Sequence, residues 1–259
     1  MKKLMKNRRL CFQIFILLAV ILFLSLSVYA ETTVPIPKIG IDIGTSDNPK
    51  DVSSSIQILL LLTVLSLAPS ILIMMTSFTR IIIVLSFLRN ALGTQQMPPN
   101  QVLIGLALFL TLFIMMPVGK QINQQAFEPY TKGQITQQAA LNQSSEIIKK
   151  FMLKQTLKKD LALFVNLSGE KEPAEKEKLP LTVVIPAFLI SELKTAFQMG
   201  FLIYIPFLVI DMVVSSTLMS MGMMMLPPVM ISLPFKLLLF ILADGWNLVT
   251  QALVSSFVK

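Results

Sequence analysis

Histidine is absent from the 259 residues, cysteine occurs once, and charged residues make up 14% of the chain. Without histidine and with a single cysteine, the usual ligand sets for zinc, haem and iron–sulfur clusters cannot be assembled, and neither can most nucleophile–base pairs. No Gly-rich phosphate-binding motif follows an apolar run of the sequence. We therefore expect a protein that is not an enzyme and that holds no metal and no cofactor.

Hydrophobic residues make up 54% of the chain, and the mean hydropathy is +0.73. Soluble domains carry about 25% charged residues, so lipid or a large apolar partner surface must cover much of this protein. The formal net charge is +8, but five of the 22 basic residues and none of the 14 acidic ones lie in residues 1–30. The rest of the chain is close to neutral, which predicts no nucleic-acid partner.

Residues 1–30 have the pattern of a secretory signal peptide. A basic head precedes an uncharged apolar run, and the small residues Val28 and Ala30 fit a cleavage site. Cleavage after Ala30 would remove Cys11, the single cysteine, and would leave the new N-terminus and the short segment 31–54 outside the cytoplasm. The alternative interpretation is an uncleaved first membrane helix.

The first apolar region, residues 55–119, contains uncharged runs at residues 56–75 and 102–118. About 20 apolar residues cross a bilayer, so the two runs predict a helical hairpin in the membrane. Arg80 and Arg89 lie between the runs, and basic residues there are typical of a turn that faces the cytoplasm.

The middle region, residues 120–179, is polar, with ten lysines and seven acidic residues between 120 and 178. Two preceding crossings would return the chain to the side of its N-terminus, which predicts an extracytoplasmic domain. The lysines oppose this side by the positive-inside rule, which weakens for loops of this length. Helical spacing of apolar residues predicts a partly buried helix: Leu153, Leu157, Leu161 and Phe164, with Phe151 nearby.

The second apolar region, residues 180–259, carries six charges, and five of them lie in or beside apolar runs: Glu192, Lys194, Asp211, Lys236 and Asp244. An unpaired ion in hydrocarbon costs about 2.5–3.5 kcal/mol on the mildest scale, so these side chains should be paired or should line a wet passage. Five prolines predict broken helices, which lipid tolerates only where protein or water covers the backbone: Pro186, Pro206, Pro227, Pro228 and Pro234.

Seven of the 16 methionines fall between residues 212 and 230. Methionine is unbranched and polarizable, so a ring of such side chains could close an aperture and still deform around varied chains. The alternative is that they fill a core between helices. Gly222 and the pair Pro227 and Pro228 favour a loop over a packed helix.

Several motifs, in one order, resemble the FliP family, and together they span most of residues 55–120 and 180–250. The matching stretches are PAFLISELKTAF (186–197), IPFLVIDM (205–212), MSMGMMM (219–225), SLPFK (232–236), and the segment 76–111 with Thr79, Arg80 and QQMPP (95–99). The signal peptide fits the flagellar branch of this family.

The resemblance implies an all-α, membrane-associated subunit of the flagellar type III export gate, built from kinked helical hairpins and a small helical extracytoplasmic domain. Several copies, about five, would assemble into a helical, ring-like core. It implies FliQ and FliR as partners in the pore, FlhB and FlhA beside it, unfolded flagellar subunits as cargo, and membrane lipid around it. The expected location is the bacterial inner membrane, as a multi-pass protein of the flagellar basal body.

Residue roles also follow from the resemblance. It implies that Glu192 and Lys236 form an ion pair between subunits, and that Phe151 and Phe164 are the aromatic pair that stabilises the extracytoplasmic domain. The blander alternative is that the two phenylalanines simply fill a small core. A methionine gasket that seals the closed pore is implied for four residues: Met221, Met223, Met224 and Met225.

Two other functions compete with a gate subunit. A multi-pass small-solute transporter would need a defined polar site at a helix break and usually an inverted repeat, and no repeat relates the two apolar regions of the sequence. A membrane anchor would explain the apolar runs. It would not explain Asp211, Lys236 and the methionine cluster together.

Overall fold

A computed structural model describes residues 49–94, 96–169, 176–223 and 225–258. The chain divides into two compact units, residues 1–59 and 60–259. Of the first unit, residues 49–59 are described, and they are helical. The signal peptide expected at residues 1–30 lies outside the described residues.

Every regular element in the described ranges is a helix, which confirms the all-α expectation. The helices are α1 (Pro49–Met74), α2 (Phe78–Leu92), α3 (Asn100–Ile122), α4 (Glu128–Thr131), α5 (Gln137–Gln155), α6 (Lys158–Ser168), α7 (Leu181–Ser220), α8 (Pro228–Leu242) and α9 (Gly245–Phe257). A π-helical turn, Asn123–Phe127, joins α3 to α4, and a 3-10 turn, Lys176–Lys178, precedes α7.

Two helical stretches are long and apolar enough to cross a membrane, Asn100–Thr131 and Leu181–Ser220. A third span is added if α8 and α9, which meet at a bend of 64°, form one crossing. With a rise of about 1.5 Å per residue, the 40-residue helix α7 is about twice as long as a hydrocarbon core is thick. The structure thus confirms a membrane-associated helical protein.

Helix α2 lies at the centre of the first hydrophobic core. Ile81, Val84, Leu85 and Leu88 are buried and recur with the period of one helix face. This face packs most extensively against α7, and further buried residues from α3, α8 and α9 complete the cluster. The short helix α2 is therefore the element around which the apolar helices gather.

A second core joins the polar middle region to α7. Met152 of α5 and Leu161 and Val165 of α6 pack in one cluster with Val184 and Phe188 of α7. This core continues from α5 and α6 into the N-terminal part of α7, across the change in composition near residue 179.

The single helix predicted through Leu153, Leu157, Leu161 and Phe164 was wrong, because the chain breaks at Thr156 and Leu157 between α5 and α6. Leu161 is buried as expected, whereas Leu157 is exposed at the break.

The prolines interrupt the helices less than predicted. Pro186 and Pro206 lie inside the continuous helix α7, and Pro234 lies inside α8, so the expectation of breaks at these three positions was wrong. A proline removes one backbone hydrogen bond, whereas ending a helix in apolar surroundings would strand several backbone groups. The break between α7 and α8 covers residues 221–227, and it ends at Pro227 and Pro228, where a break was expected.

Candidate functional site: buried ion pairs and the methionine loop

Arg80 and Glu192 form a buried bidentate ion pair between α2 and α7. Arg80 is 2% exposed and Glu192 is fully buried. The Arg80 Nε donates to Glu192 Oε2 at 2.9 Å, and Nη2 donates to Oε1. Two parallel charge-assisted hydrogen bonds fix both the distance and the orientation of the partners. The pair therefore sets how α2 lies on α7.

The remaining donors of Arg80 reach two more helices. Its Nη1 donates to Ser256 Oγ at 2.9 Å, and Nη2 donates to Gln155 Oε1 at 3.4 Å. The guanidinium carbon lies 3.8 Å from the ring centroid of Phe257, a cation–π contact. Arg80, Gln155, Glu192, Ser256 and Phe257, here called the Arg80 cluster, thus join α2, α5, α7 and α9.

The prediction that Arg80 lies in a turn between two helices was wrong, while the side of the membrane that this segment faces stays a prediction. Arg80 lies in the first turn of α2 and inside the protein. The desolvation cost of a charge at this position is offset because a carboxylate and several acceptors surround it. The available signal was the isolation of one arginine and one glutamate within apolar helices, since each then requires a partner.

Lys236 and Asp211 form a second ion pair, between α8 and α7. The Lys236 Nζ lies 2.6 Å from Asp211 Oδ2, and Ser232 Oγ donates to Asp211 Oδ1 at 2.5 Å. The side chain of Lys236 is 3% exposed. Gly93 is the C-cap of α2, and a Cβ added at Gly93 would lie 3.8 Å from the Nζ of Lys236. The ammonium group is therefore close to the negative end of the helix dipole, which favours a cation.

Within one chain, therefore, Glu192 binds Arg80 and Lys236 binds Asp211. The expected ion pair between Glu192 and Lys236 of neighbouring subunits stays a prediction. It now requires an exchange of partners on assembly, because both side chains are already compensated.

The other charges singled out in the sequence have lesser roles. Lys194 is 3.8 Å from Asp160, which is buried and accepts a hydrogen bond from Ser191 Oγ at 2.9 Å. Asp160 and Ser191, which the sequence did not single out, join α6 to α7. Asp244 occupies the bend before α9 with a φ of 49° and accepts from Asn247. No group of three or more His, Cys, Asp or Glu side chains suited to a metal occurs among the described residues.

Phe151 and Phe164 both pack against the second core. Phe151 also stacks on Phe257, with ring centroids 6.5 Å apart, and contacts Phe188 at 6.1 Å. Phe151 consequently lies beside the Arg80 cluster and links the polar middle region to α9. The implied pairing of the two phenylalanines stays a prediction.

The methionine loop, residues 221–227, connects α7 to α8. Gly222 has a φ of 73°, and two hydrogen bonds close the end of α7, from Gly222 N–H to Met219 O and from Met223 N–H to Leu218 O. This is the Schellman arrangement, in which glycine readily adopts the left-handed conformation. Met221 is 66% exposed and Met225 99% exposed, while Met224 lies outside the described residues. The exposed methionines therefore stand at a defined turn.

A comparison with protein-family models matches residues 61–253 to the FliP family. That range includes Arg80, Gln155 and Glu192 of the Arg80 cluster, the Asp211–Lys236 pair and most of the helices described above.

Curated relatives cover most of the chain. It is 61% identical over 217 residues to the flagellar biosynthetic protein FliP of Bacillus subtilis (strain 168), covering 84% of this chain and 98% of that relative. It is 51% identical over 241 residues to the protein of the same name from Pectobacterium carotovorum subsp. carotovorum, covering 92% and 90%. The protein of that name from Aquifex aeolicus (strain VF5) is 51% identical over 224 residues, covering 86% and 92%.

Proposed function

Because the chain belongs to the FliP family, we propose that it is a core subunit of the flagellar type III export gate, where it forms with FliQ and FliR the pore that secretes unfolded flagellar subunits. The broader assignment is to a membrane-associated protein of flagellum biogenesis and protein export. The proposal adds the pore, the partners and the cargo.

The methionine loop is the observation that carries the proposal. It presents exposed methionines between two apolar helices, at a turn that Gly222 and Pro227 define on either side. Unfolded cargo has no fixed shape, so a seal around it must deform rather than fit, and flexible thioether side chains suit that requirement. We propose that Met221, Met223, Met224 and Met225 of about five copies form this seal.

The proposed assembly lies in the bacterial inner membrane within the flagellar basal body, beside FlhB and FlhA. Many large apolar side chains of α1, α3 and α7 are exposed in the single chain, among them Leu65, Phe109 and Phe201. Exposed apolar surface of this extent marks a membrane-facing or subunit-facing surface. Lipid and neighbouring subunits together would cover it.

Size in mild detergent tests the proposal. The full-length protein, expressed together with FliQ and FliR, should elute as one large complex and show a ring in projection images. A small-solute transporter would elute as a monomer or a small oligomer. If the co-expressed protein eluted as a small species that contained neither FliQ nor FliR, the gate assignment would be contradicted.

Signal-peptide cleavage is a separate proposal. N-terminal sequencing of protein purified from membranes should begin at Glu31, which would place the mature N-terminus outside the cytoplasm. A sequence that began at Met1 would contradict cleavage and the topology that follows from it.

Double charge reversal tests the ion pair between subunits. Glu192→Lys alone puts a second cation beside Arg80, and Lys236→Glu alone puts a second carboxylate beside Asp211, so either change should block assembly. If the two residues touch across the interface, the double variant should recover part of the complex on a native gel. Absence of recovery at normal protein levels would count against the pair.

A further inference from the structure

A half-open cleft of 680 Å³ lies between α3, α5 and α9. Its apolar wall includes Phe113, Met116, Phe151, Phe257 and Val258. Three lysines also line it, one on α3 and two on α5: Lys120, Lys150 and Lys154. The cleft is thus amphipathic, with cations beside a hydrophobic surface.

The lysines carry excess positive charge. Lys150 and Lys154 are one turn apart on α5, where like charges repel. Lys150 makes an exposed ion pair of 3.5 Å with Glu177. Among the described residues, neither Lys120 nor Lys154 has a carboxylate within 4.0 Å. An anion beside Lys154 would relieve its repulsion from Lys150.

The cleft also has a defined position along the apolar helices. Lys120 follows directly on the uncharged run 102–118 of a helix long enough to cross a membrane. Met116 and Phe113 lie one and two turns before it, respectively, and both are more than half exposed. Where an apolar run ends in lysine, the ammonium group lies at the level of the lipid headgroups and the preceding side chains lie among acyl chains.

We propose that this cleft binds an anionic phospholipid, with the phosphate between Lys120 and Lys154 and an acyl chain along Phe113, Met116 and Phe257. A soluble phosphate would use the lysines alone and would gain nothing from the apolar wall. A phospholipid matches both parts of the cleft, since clusters of basic side chains at the membrane surface favour anionic headgroups.

The lipid would stabilise the position of helix α9. Gln155 and Phe257 line the cleft and also belong to the Arg80 cluster, and Gln155 Nε2 donates to the carbonyl of Phe257 at 3.1 Å. A bound acyl chain would cover Val258, which is 74% exposed without it and lies next to the buried Phe257. The lipid therefore holds α9 against α3 and α5.

Lipid retention tests the proposal. Full-length protein in mild detergent is mixed with phosphatidylglycerol and phosphatidylcholine micelles of equal chain length, and the bound lipid is measured by native mass spectrometry. Phosphatidylglycerol should be retained about thirtyfold over phosphatidylcholine, as two lysines near a headgroup provide. The Lys120→Gln, Lys154→Gln variant should lose this preference.

The matched control is Lys158→Gln, Lys159→Gln, which removes the same charge from exposed positions of α6 outside the cleft and should keep the preference. If both variants lost the preference for phosphatidylglycerol equally, net charge alone would explain the preference, and the proposed site would be overturned. Displacement of the lipid by glycerol phosphate would identify a free-anion site instead. A photo-crosslinker at Met116 should label lipid, and labelling of a second copy or of another protein would also overturn the proposal.

Discussion

At the residue scale, the Arg80–Glu192 pair governs the stability of the single chain. Arg80→Met leaves the carboxylate of Glu192 buried without its cation, which should lower the free energy of unfolding by about 3–5 kcal/mol. Thermal unfolding in detergent, followed by circular dichroism, measures the loss. The other partners keep hydrogen bonds of their own, because Ser256 donates to Leu253 O and Gln155 donates to Phe257 O.

The double variant Arg80→Met, Glu192→Met is the control for that measurement. Replacing both members of a buried pair by apolar side chains of similar volume is often neutral, so most of the stability should return. If the double variant were as unstable as the single one, the pair would not be the cause of the loss.

The sequence predicted that these charges need compensation, but it did not predict the partners found within the chain. Glu192 lies 112 residues from Arg80, and Asp211 lies 25 residues from Lys236. Hydropathy locates a charge in an apolar run and gives the cost of leaving it alone. Which opposite charge meets it depends on how α2, α7 and α8 cross, and local pattern does not encode that crossing.

At the scale of elements, the close approach of α2 to α7 depends on Gly200. A Cβ built there would lie 2.5 Å from Cγ of Phe87 and 2.7 Å from its Cδ2. Gly200→Ala should therefore force the two helices apart and destabilise the protein by about 1–3 kcal/mol. The midpoint of thermal unfolding should fall accordingly.

Gly105→Ala in α3 is the matched substitution, because nothing lies within 4 Å of the added Cβ. Alanine is the better helix former by about 1 kcal/mol, so this variant should be as stable as the parent or more stable. A destabilisation equal to that of Gly200→Ala would show that the contact with Phe87 is not responsible.

The apolar runs located the long helices, whereas their continuity and packing needed the structure. Pro206 lies within a predicted apolar region, and α7 passes through it. The polar composition of residues 120–179 predicted a separate domain, yet Met152 and Leu161 share their core with Phe188 of α7. Composition reports which surface of a segment meets water, and it carries no information on which helix receives the buried face.

At the scale of the whole molecule, variants of the methionine loop distinguish a loop that seals a pore from a loop that packs in a core. Met225 is almost fully exposed and Met223 is partly exposed in the chain, so truncating them opens no large internal cavity. Replacing Met223, Met224 and Met225 together with alanine should permit assembly and remove the deformable closure. Cells that carry this variant should take up small solutes and ions through the closed complex, while a native gel still shows the large species.

Two further methionine variants serve as controls, one in a buried core and one on the exposed surface. Met152→Ala, at a fully buried position, should cost about 2–5 kcal/mol and reduce the amount of complex without causing a leak. Met230→Ala, at an exposed position in α8 outside the loop, should change neither assembly nor permeability. A triple variant that fails to assemble would behave like Met152→Ala and would place the loop in a packed core. One that assembles without a leak would mean that other side chains close the passage.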